Sequence, residues 1–474
     1  MDAGFHPEGR ETRERFPCEV LSTVYIKVLD TSRWYVSIYG YPLFNQYMKK
    51  DIVLMVATPP KAAAKSTIEF QELWDEKLRF FLVTDKEAVS ESDKETYKLF
   101  DEVLFVNFDS DLSMSKALAP YRGNILVATC RSESNMPKFK KIIPHIPYVK
   151  TPLPSSIAWS IDKLEMRRRF NAFDPKITPK YMLVEDATHK TINRVEEKIG
   201  FPLIVKPTGL ASSLLVTIAY HHEELEKVLK NVFRKVNILS KQFKGNEQPK
   251  VLVEQFMEGS MYSIDAYVSS KGTTYFCPMV SVKTGKEAGF DDFFGYQQMT
   301  PTRLKTSSIE EARSVTEKAI HALGLRSTTA HVELMRTEDG WKVIEVGPRI
   351  GGFRHTMYEL SYGINHTAND ILIRIPRKPK IPRKILGYTS VFKIFSKNPG
   401  IITTLKGVKK IKELSSFISV VVNKKVGDRT YSASNGGKSV FNVTLFNEDR
   451  PKLLADIRRM EKMIEIKTMA RKKS

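Results

Sequence analysis

Residues 330–352 read AHVELMRTEDGWKVIEVGPRIGG, and this stretch decides the fold. Two mostly apolar segments flank the dipeptide Asp339-Gly340, which is typical of a tight β-hairpin turn. Each segment carries one glutamate, Glu333 in the first and Glu345 in the second. An unpaired carboxylate is costly in such apolar surroundings, so both glutamates need partners. The stretch predicts a hairpin that holds two carboxylates on neighbouring strands.

Two facing carboxylates repel each other unless a cation lies between them. Mg²⁺ suits such a pair, because it usually takes one or two carboxylates together with phosphate oxygens. Arg349 follows four residues after Glu345, and Gly351-Gly352 come next. An arginine beside open backbone amides suits a phosphoryl group or a tetrahedral oxyanion. The alternative is an Arg–Glu pair that only stabilises the hairpin, and these residues alone leave both interpretations open.

A lysine ends a second apolar run. Residues 202–207 read PLIVKP and predict a strand that ends near Lys206, and the small-residue loop TGLASSL follows at 208–214. Small residues let backbone amides approach an anion, and the lysine adds a positive charge. The alternative is an exposed lysine at a strand end. The chain has no GxxxxGK[ST] motif, which excludes a P-loop.

The first third of the chain alternates short apolar runs with mixed segments. Each run is rich in β-branched or aromatic residues and ends at polar or turn residues, as buried parallel strands do. The four runs are Asp51–Ala57, Arg79–Thr84, Val103–Phe108 and Asn124–Thr129. Strands that alternate with helices predict a doubly wound α/β layer.

Composition excludes several classes of protein. Of the 474 residues 42% are hydrophobic and 27% charged, which is typical of a soluble globular chain and not of a disordered one. No apolar run has the roughly 18 residues that a membrane span needs, and the N-terminus lacks a signal-peptide core. The three cysteines, Cys18, Cys130 and Cys277, are too far apart for a disulfide framework or a CxxC metal site. We therefore expect a cytoplasmic protein.

The net charge of +21 is unevenly distributed. Residues 374–474 contain 25 basic and 7 acidic residues. Such a region could contact nucleic acid or an anionic surface, although a solvated surface is the simpler interpretation. It lacks the interleaved aromatic residues that favour specific nucleic-acid binding. Its first part, PRKPKIPRK at 376–384, excludes helices and central strands and predicts a domain boundary.

The order of these features resembles the ATP-grasp superfamily over about residues 45–375, and within it the carboxylate–amine ligases of the amino-acid, dipeptide and carnosine-synthase type. The resemblance implies a nucleotide site, a metal site and a catalytic group. The nucleotide would contact Lys163, Lys206, Ser212, Ser213, Glu254, Gln255, Phe256 and Met257. Among these, Glu254 would accept from the adenine amine, and backbone groups of residues 255–257 would make the remaining contacts with the adenine. Glu333 and Glu345 would hold the metal, and Arg349 with the amides of Gly351 and Gly352 would stabilise the reacting charge.

The resemblance also implies an organisation of the chain. The fold class is α/β: an ATP-grasp fold of α+β character, preceded by a Rossmann-like pre-ATP-grasp domain and followed by a small β-rich subdomain. The predicted parts are an unassigned extension at 1–44, the pre-ATP-grasp domain at 45–158, the ATP-grasp domain at 159–375, a basic linker at 376–385 and the C-terminal subdomain at 386–474.

The activity that the resemblance implies is an ATP-dependent ligase that joins a carboxylate to an amine through an acyl phosphate, with Mg²⁺, or alternatively Mn²⁺, as the metal. The alternatives are a biotin-carboxylase-like enzyme that activates bicarbonate, and a nucleotide-binding module without turnover. Three departures from the family pattern bear on this choice. Gly347 replaces the usual Asn after the second carboxylate, Met261 replaces a ribose-binding glutamate, and Leu215 replaces a glycine at the end of the loop. The sequence leaves the two substrates unnamed and the oligomeric state open, a homodimer being the commonest closed form.

Overall fold

The computed structural model describes residues 50–56, 70–71, 77–88, 94–208, 215–242, 250–290, 292–433 and 437–469. The predicted extension at 1–44 lies outside these residues, and so do Ser212 and Ser213 of the small-residue loop. Residues from Lys50 onward form one unit.

The first layer is a four-stranded parallel sheet in the order β3-β2-β1-β4. Its strands are β1 (Ile52–Val56), β2 (Arg79–Asp85), β3 (Glu102–Val106) and β4 (Ile125–Thr129). Its helices are α1 (Lys94–Tyr97), α2 (Asp111–Leu118) and α3 (Met136–Ile142). All five residues of β1 are buried, because a central parallel strand is covered on both faces. The predicted parallel layer is confirmed.

Two helices, α4 (Pro154–Ile161) and α5 (Lys163–Phe173), lead out of this layer. The sequence predicts a helix from Ile161 to about Phe173 with Ser160 as its cap; the helix and its end are present, but the predicted start and cap are wrong. The Ser160 hydroxyl donates to the Ser156 carbonyl oxygen at 2.7 Å inside α4, so it caps nothing. Asp162 caps α5 instead, with Oδ1 accepting from the Leu164 and Glu165 amides at 2.8 and 3.1 Å. Lys163 is therefore the first residue of α5.

A small antiparallel sheet follows, in the order β5-β8-β6-β7. Its elements are β5 (Tyr181–Val184), α6 (His189–Lys198), β6 (Leu203–Pro207), β7 (Thr217–Ala219), α7 (His222–Gln242) and β8 (Val251–Gln255). Apolar residues of the two helices and of the four strands form one hydrophobic core. This sheet places Lys206 and Glu254 on the neighbouring strands β6 and β8.

The large sheet is antiparallel and contains the predicted hairpin. Its first strands are β9 (Ser260–Val268), β10 (Thr274–Phe276), β11 (Val280–Thr284), β12 (Gly295–Thr300), β13 (Thr328–Thr337) and β14 (Gly340–Gly347). The accompanying helices are α8 (Thr306–Ala322), α9 (Arg354–Tyr362) and α10 (His366–Arg374). The hairpin pairs β13 with β14, and Gly340 takes the left-handed conformation that its turn requires, with φ of 97°.

The C-terminal segment continues the same sheet. Its strands and helices are β15 (Tyr388–Ile394), β16 (Gly400–Lys406), α11 (Val408–Ile411), β17 (Phe417–Val422), β18 (Arg429–Thr430), β19 (Phe441–Asn447), α12 (Arg450–Met463) and β20 (Glu465–Met469). The order of the large sheet is β14-β13-β9-β11-β12-β15-β19-β17, while β16, β18 and β20 form a separate small sheet. The predicted linker at 376–385 therefore joins two parts of one sheet, because β15 pairs directly with β12. None of the helices within the described ranges has the length and apolarity to cross a membrane.

Candidate active site

The two glutamates of the hairpin stand directly opposite each other on β13 and β14. Their side chains are 34% and 29% exposed for Glu333 and Glu345, so both carboxylates reach open space. The Lys163 ammonium, at the start of α5, lies 3.6 Å from Glu345 Oε2. On the other side, His331 Nε2 lies 3.5 Å from Glu333 Oε1. The hairpin and the first turn of α5 thus meet at one charged cluster.

Electrostatics favour the ionised form of Glu333. Its burial raises the pKa, but the hydrogen bond and charge of His331, followed by the charges of Arg349 and Arg354, outweigh this and lower the pKa below its usual value. The carboxylate is therefore ready to bind a cation at neutral pH.

This donor set fits Mg²⁺ bound together with phosphate groups. Two partly exposed carboxylates face each other across neighbouring strands, and carboxylate oxygens are ligands that Mg²⁺ prefers. Within the described ranges, no group of three or more His, Cys, Asp or Glu side chains is placed to hold a metal ion. An all-protein metal cage is therefore absent from this part of the chain, whereas a site completed by phosphate oxygens and water matches the pair.

Lys206 belongs to a buried ion cluster with Glu254 and Arg167. The Lys206 ammonium lies 2.8 Å from Glu254 Oε2, and Arg167 donates to both oxygens of Glu254 at 2.7 and 3.1 Å. Arg167 also donates to the carbonyl oxygens of Val343 and Ile344 at 2.9 and 2.8 Å, which ties the cluster to β14. Arg167 is absent from the sequence prediction, although it lies on α5 only four residues after Lys163.

The charges of this cluster shift one another's pKa values. Burial lowers the pKa of Lys206 to about 8, although the Glu254 carboxylate works in the opposite direction. Burial also acts to raise the pKa of Glu254, but Arg167 and Lys206 together bring it down to about 2. Each Glu254 oxygen already has a cationic partner, so the predicted contact with the adenine amine would have to share this carboxylate.

The hinge after β8 has only part of its backbone open to a ligand. The Gln255 amide donates to the Lys180 carbonyl oxygen at 2.9 Å, and the Phe256 amide donates to the Pro202 carbonyl oxygen at 3.1 Å. A base contact through this hinge therefore uses carbonyl oxygens or the Met257 amide. This narrows the prediction that backbone groups of residues 255–257 hold the adenine.

Leu215 stands at the end of the small-residue loop in a conformation suited to glycine. Its φ is 59°, in the left-handed region, which costs a side-chain-bearing residue roughly 1–2 kcal/mol. Its side chain is buried in the core of the small sheet. The backbone conformation that glycine favours is thus kept here, and apolar packing offsets the strain.

Arg349 is held by a residue from the parallel layer. Its Nε donates to Glu133 Oε2 at 2.7 Å, and its Nη1 donates to the Ile350 carbonyl oxygen at 3.0 Å. Glu133 lies in a 3₁₀ turn shortly after β4, so the first sheet contributes a side chain to this site. A β-carbon at position 347 would lie 3.0 Å from Glu133 Oε2. Gly347 therefore leaves room for the Glu133 carboxylate at the position where the resemblance to the ATP-grasp superfamily predicts Asn.

A buried network centred on Asp265 lies behind Glu333. Asp265 Oδ1 lies 2.7 Å from His331 Nδ1, and Oδ2 lies 2.7 Å from His366 Nε2. Burial acts to lower the pKa of His331, but the Asp265 carboxylate raises it above the usual value. His331 is thereby fixed between Asp265 and Glu333, and it positions the latter.

The same network changes the role expected of the two glycines. The Gly351 amide donates to Asp265 Oδ2 at 2.7 Å, so the predicted role of this amide in stabilising an oxyanion would require that hydrogen bond to break. A β-carbon at position 351 would lie 2.5 Å from His331 Nδ1, so Gly351 serves the close packing of the network. At Gly352, by contrast, a β-carbon would meet no atom of the described residues within 4 Å, so in this part of the chain the position borders open space.

Two further cationic residues border the cluster. Arg354, for which the sequence suggests either a substrate clamp or a surface position, is buried and donates to Gln298 Oε1 at 2.5 Å and to Ser263 Oγ at 2.6 Å. Lys393 of β15 is close enough to Glu333 for that carboxylate to raise its pKa, but burial dominates and lowers it overall. Nothing in the sequence around Lys393 indicates this position, because β15 reaches the site only through its pairing with β12.

Comparison with known proteins identifies the fold. Residues 199–357 match the family model of the ATP-grasp domain. A D-alanine–D-alanine ligase of Pelodictyon phaeoclathratiforme is 28% identical over 148 residues, which are 29% of this chain and 36% of that protein. The L-amino acid ligase of Bacillus licheniformis superposes with a TM-score of 0.68 at 14% identity, covering 89% of this chain and 99% of that one. The predicted fold class, a parallel layer followed by the antiparallel sheets of an ATP-grasp fold, is confirmed.

A second solved structure shows that likeness of fold does not by itself identify an activity. The biotin carboxylase domain of the 2-oxoglutarate carboxylase from Hydrogenobacter thermophilus, in complex with MgADP and bicarbonate, superposes with a TM-score of 0.62 at 16% identity, covering 89% of this chain and 91% of that one. The same fold thus serves two kinds of protein. The chain spans about half the length, or less, of the curated relatives that it matches.

Proposed function

We propose that this chain, whose residues 199–357 belong to the ATP-grasp domain family, is an ATP- and Mg²⁺-dependent ligase that joins a carboxylate to an amine. One observation carries the proposal. Helix α5 brings Lys163 within 3.6 Å of Glu345, while its Arg167 links the Lys206–Glu254 pair to the backbone of the same strand β14. Helix α5 thus connects the hairpin carboxylates with the buried Lys206–Glu254 pair, and Lys163 lies close enough to Lys206 for its charge to lower the pKa of that lysine. Such a grouping of cations beside two carboxylates suits a nucleoside triphosphate with its metal ion.

In the first step a substrate carboxylate attacks the γ-phosphorus of ATP, the bond to the β-phosphate oxygen breaks, and an acyl phosphate and ADP form. Such phosphoryl transfer depends on positioning and charge neutralisation rather than on covalent help from the protein. Lys163 and Lys206 neutralise phosphate charge. Glu333 and Glu345 would hold Mg²⁺, and a bound Mg²⁺ would offset phosphate charge. His331 keeps Glu333 ionised and oriented.

In the second step the amine attacks the acyl carbon, and the carbon–oxygen bond to the phosphate breaks to release phosphate and form an amide. Arg349, oriented by Glu133, faces the charge that develops on the phosphoryl oxygen or on the tetrahedral oxyanion. Gly352 borders open space and is the better candidate for backbone stabilisation, because the Gly351 amide is bonded to Asp265. Exclusion of water protects the acyl phosphate from hydrolysis.

The two substrates are the finer part of the proposal. An amino acid as the source of the carboxylate or amine is supported by the likeness to an L-amino acid ligase and a D-alanine–D-alanine ligase. The biotin carboxylase domain has the same fold, so the fold does not distinguish activation of bicarbonate from amide formation. An assay has to distinguish them.

The test is release of ADP and phosphate from ATP in the presence of pooled amino acids and small carboxylates, with product mass determined in parallel. A ligase releases both only when a carboxylate and an amine are present, and product mass shows an amide. Glu345→Gln and Arg349→Ala should each lower this rate by about 100-fold or more. Glu338→Gln, an exposed residue in the turn of the same hairpin, is the matched control.

Two results would contradict the proposal. Phosphate release that depends on bicarbonate and needs no amine would assign a carboxylase. Binding of an ATP analogue without release in any pool would assign a nucleotide-binding module without turnover.

A further inference from the structure

An open cavity of about 500 Å³ lies on the rear of the large sheet, away from the active site. Tyr262 and Met299 line it. Their chain neighbours Ser263 and Gln298 both contact Arg354 on the active-site face. Because successive residues of a strand point to opposite faces, Tyr262 and Met299 face the other side. The sheet therefore separates this rear cavity from the proposed ATP site.

The rim of the rear cavity is strongly basic. Among the described residues, four cationic side chains line it, Arg303, Lys305, Arg336 and Arg450, against one carboxylate, that of Glu311. They come from three separate parts of the chain: the β12–α8 connection, the end of β13 and the start of α12. Like charges gathered at one cavity repel each other unless an anion occupies it. Their convergence favours a ligand with more than one negative charge.

The floor of the rear cavity is the first turn of α8. This 17-residue helix has Lys305 at its N-cap, which makes no side-chain capping bond, and it has no acidic residue in its first turn. Uncapped amides and the helix dipole together favour an anion at such an end. The helix end and the four cations thus favour the same kind of ligand.

Unpartnered buried polar atoms give an independent indication. Ser308 lines the cavity and is only 6% exposed, yet its hydroxyl has no hydrogen-bond partner among the described residues. The buried Nε of Arg450 is likewise without one in that part of the chain. Buried polar groups normally have hydrogen-bond partners. Two buried donors without partners at one cavity therefore indicate that a bound ligand supplies the acceptor. A phosphate oxygen can accept from both a hydroxyl and a guanidinium.

We propose that the rear cavity is a binding site for a phosphate-bearing small molecule, separate from the proposed ATP site. A phosphate dianion would accept from the α8 amides, from the Ser308 hydroxyl and from Arg450. The volume of the rear cavity lies in the range of small-ligand pockets. The apolar parts of Met299 and Leu304 line it and could contact an organic group on the phosphate. A phosphate monoester is the ligand class that these features favour, and free phosphate shares its chemistry.

The experiment is calorimetric titration of the full chain with inorganic phosphate and, separately, with glycerol 3-phosphate, in the presence of a saturating non-hydrolysable ATP analogue and Mg²⁺. We expect saturable binding at one site per chain, weakened about tenfold or more by Ser308→Ala and by Arg450→Ala. Lys452→Ala, an exposed residue two positions along the same helix, is the matched control and should bind as the wild type does. Tighter binding of glycerol 3-phosphate assigns a phosphate ester, and tighter binding of inorganic phosphate assigns the free anion.

The proposal is overturned if the wild-type chain shows no saturable binding of either probe. It is also overturned if Ser308→Ala and Arg450→Ala bind with the affinity of Lys452→Ala. The experiment compares variants on the rear of the sheet. Its result therefore tests the rear-cavity proposal independently of the ligase proposal. A chain without ligase turnover still binds phosphate here, and a working ligase without this binding refutes only the rear site.

Discussion

Arg167→Met tests whether the buried ion cluster supports the active site. The arginine is almost fully buried and makes four hydrogen bonds, two to Glu254 and two to the carbonyl oxygens of Val343 and Ile344. Methionine keeps an apolar stem of similar length but removes the charge. Glu254 is then left with Lys206 as its one remaining cationic partner in the cluster, and two carbonyl groups lose a donor.

The magnitude follows from the loss of one partner of a buried pair, which costs about 3–5 kcal/mol. The unfolding entropy is about 2 cal/mol/K per residue, so the unfolding entropy of a chain of 474 residues is about 1 kcal/mol/K. The shift in Tm is the loss of stability divided by this entropy. The expected fall in Tm is therefore about 3–5 °C. Thermal unfolding followed by circular dichroism measures it directly.

Arg168→Met is the matched control on the same helix. Arg168 is 55% exposed and pairs with Glu165 at 2.6 Å, and such surface pairs contribute about 0–1 kcal/mol. Its Tm should stay within about 1 °C of the wild type. Equal shifts for Arg167→Met and Arg168→Met would refute the view that the cluster is a stabilising centre.

Three further predictions concern other parts of the molecule. Gly347→Asn should lower ligase turnover by about tenfold, because the asparagine β-carbon would lie 3.0 Å from Glu133 Oε2. Steady-state ADP release of the double variant should show that the effects of Gly347→Asn and Glu133→Ala are not additive. Glu254 has a pKa of about 2 in the folded chain against an ordinary value of 4.5, so its stabilisation is complete above pH 4.5 and is lost as pH falls toward 2. The Tm of the wild type should therefore fall more steeply through that window than the Tm of Glu254→Gln, and parallel curves would contradict the assignment. Cys130 and Cys277 are buried, and burial raises the pKa of the Cys130 thiol to about 12, so neither should react with a thiol reagent until the chain is unfolded.

Local patterns predicted the parts of the fold that depend on neighbouring residues. The parallel strands follow from continuous apolar runs, and the hairpin follows from two apolar segments around Asp339-Gly340. The helix boundary at residue 160 was wrong for a local reason too. A serine hydroxyl can donate back to the preceding turn as readily as it can cap the next one, and Ser160 does the former.

The residues missed at the site depend on contacts between distant parts of the chain. Arg167 meets Glu254 across 87 positions, and Arg349 meets Glu133 across 216 positions. A single sequence shows each of these as an ordinary charged residue near a helix start or a turn. The placement of Gly351 illustrates the same limit, because its amide partner Asp265 lies 86 positions away and has no signal in the motif around the glycine.

The pairing of β12 with β15 has a consequence for how the molecule is made. Strand β12 is complete once residue 300 has left the ribosome, yet its partner Tyr388–Ile394 emerges almost 90 residues later. Until then one edge of the central sheet offers unpaired backbone groups, which are prone to mispairing with other chains. Lys393, which borders the active site, arrives on that late strand. A nascent chain therefore acquires its complete candidate site only after residue 394 has been synthesised, and a chaperone or slow translation would most affect its yield during the interval before that.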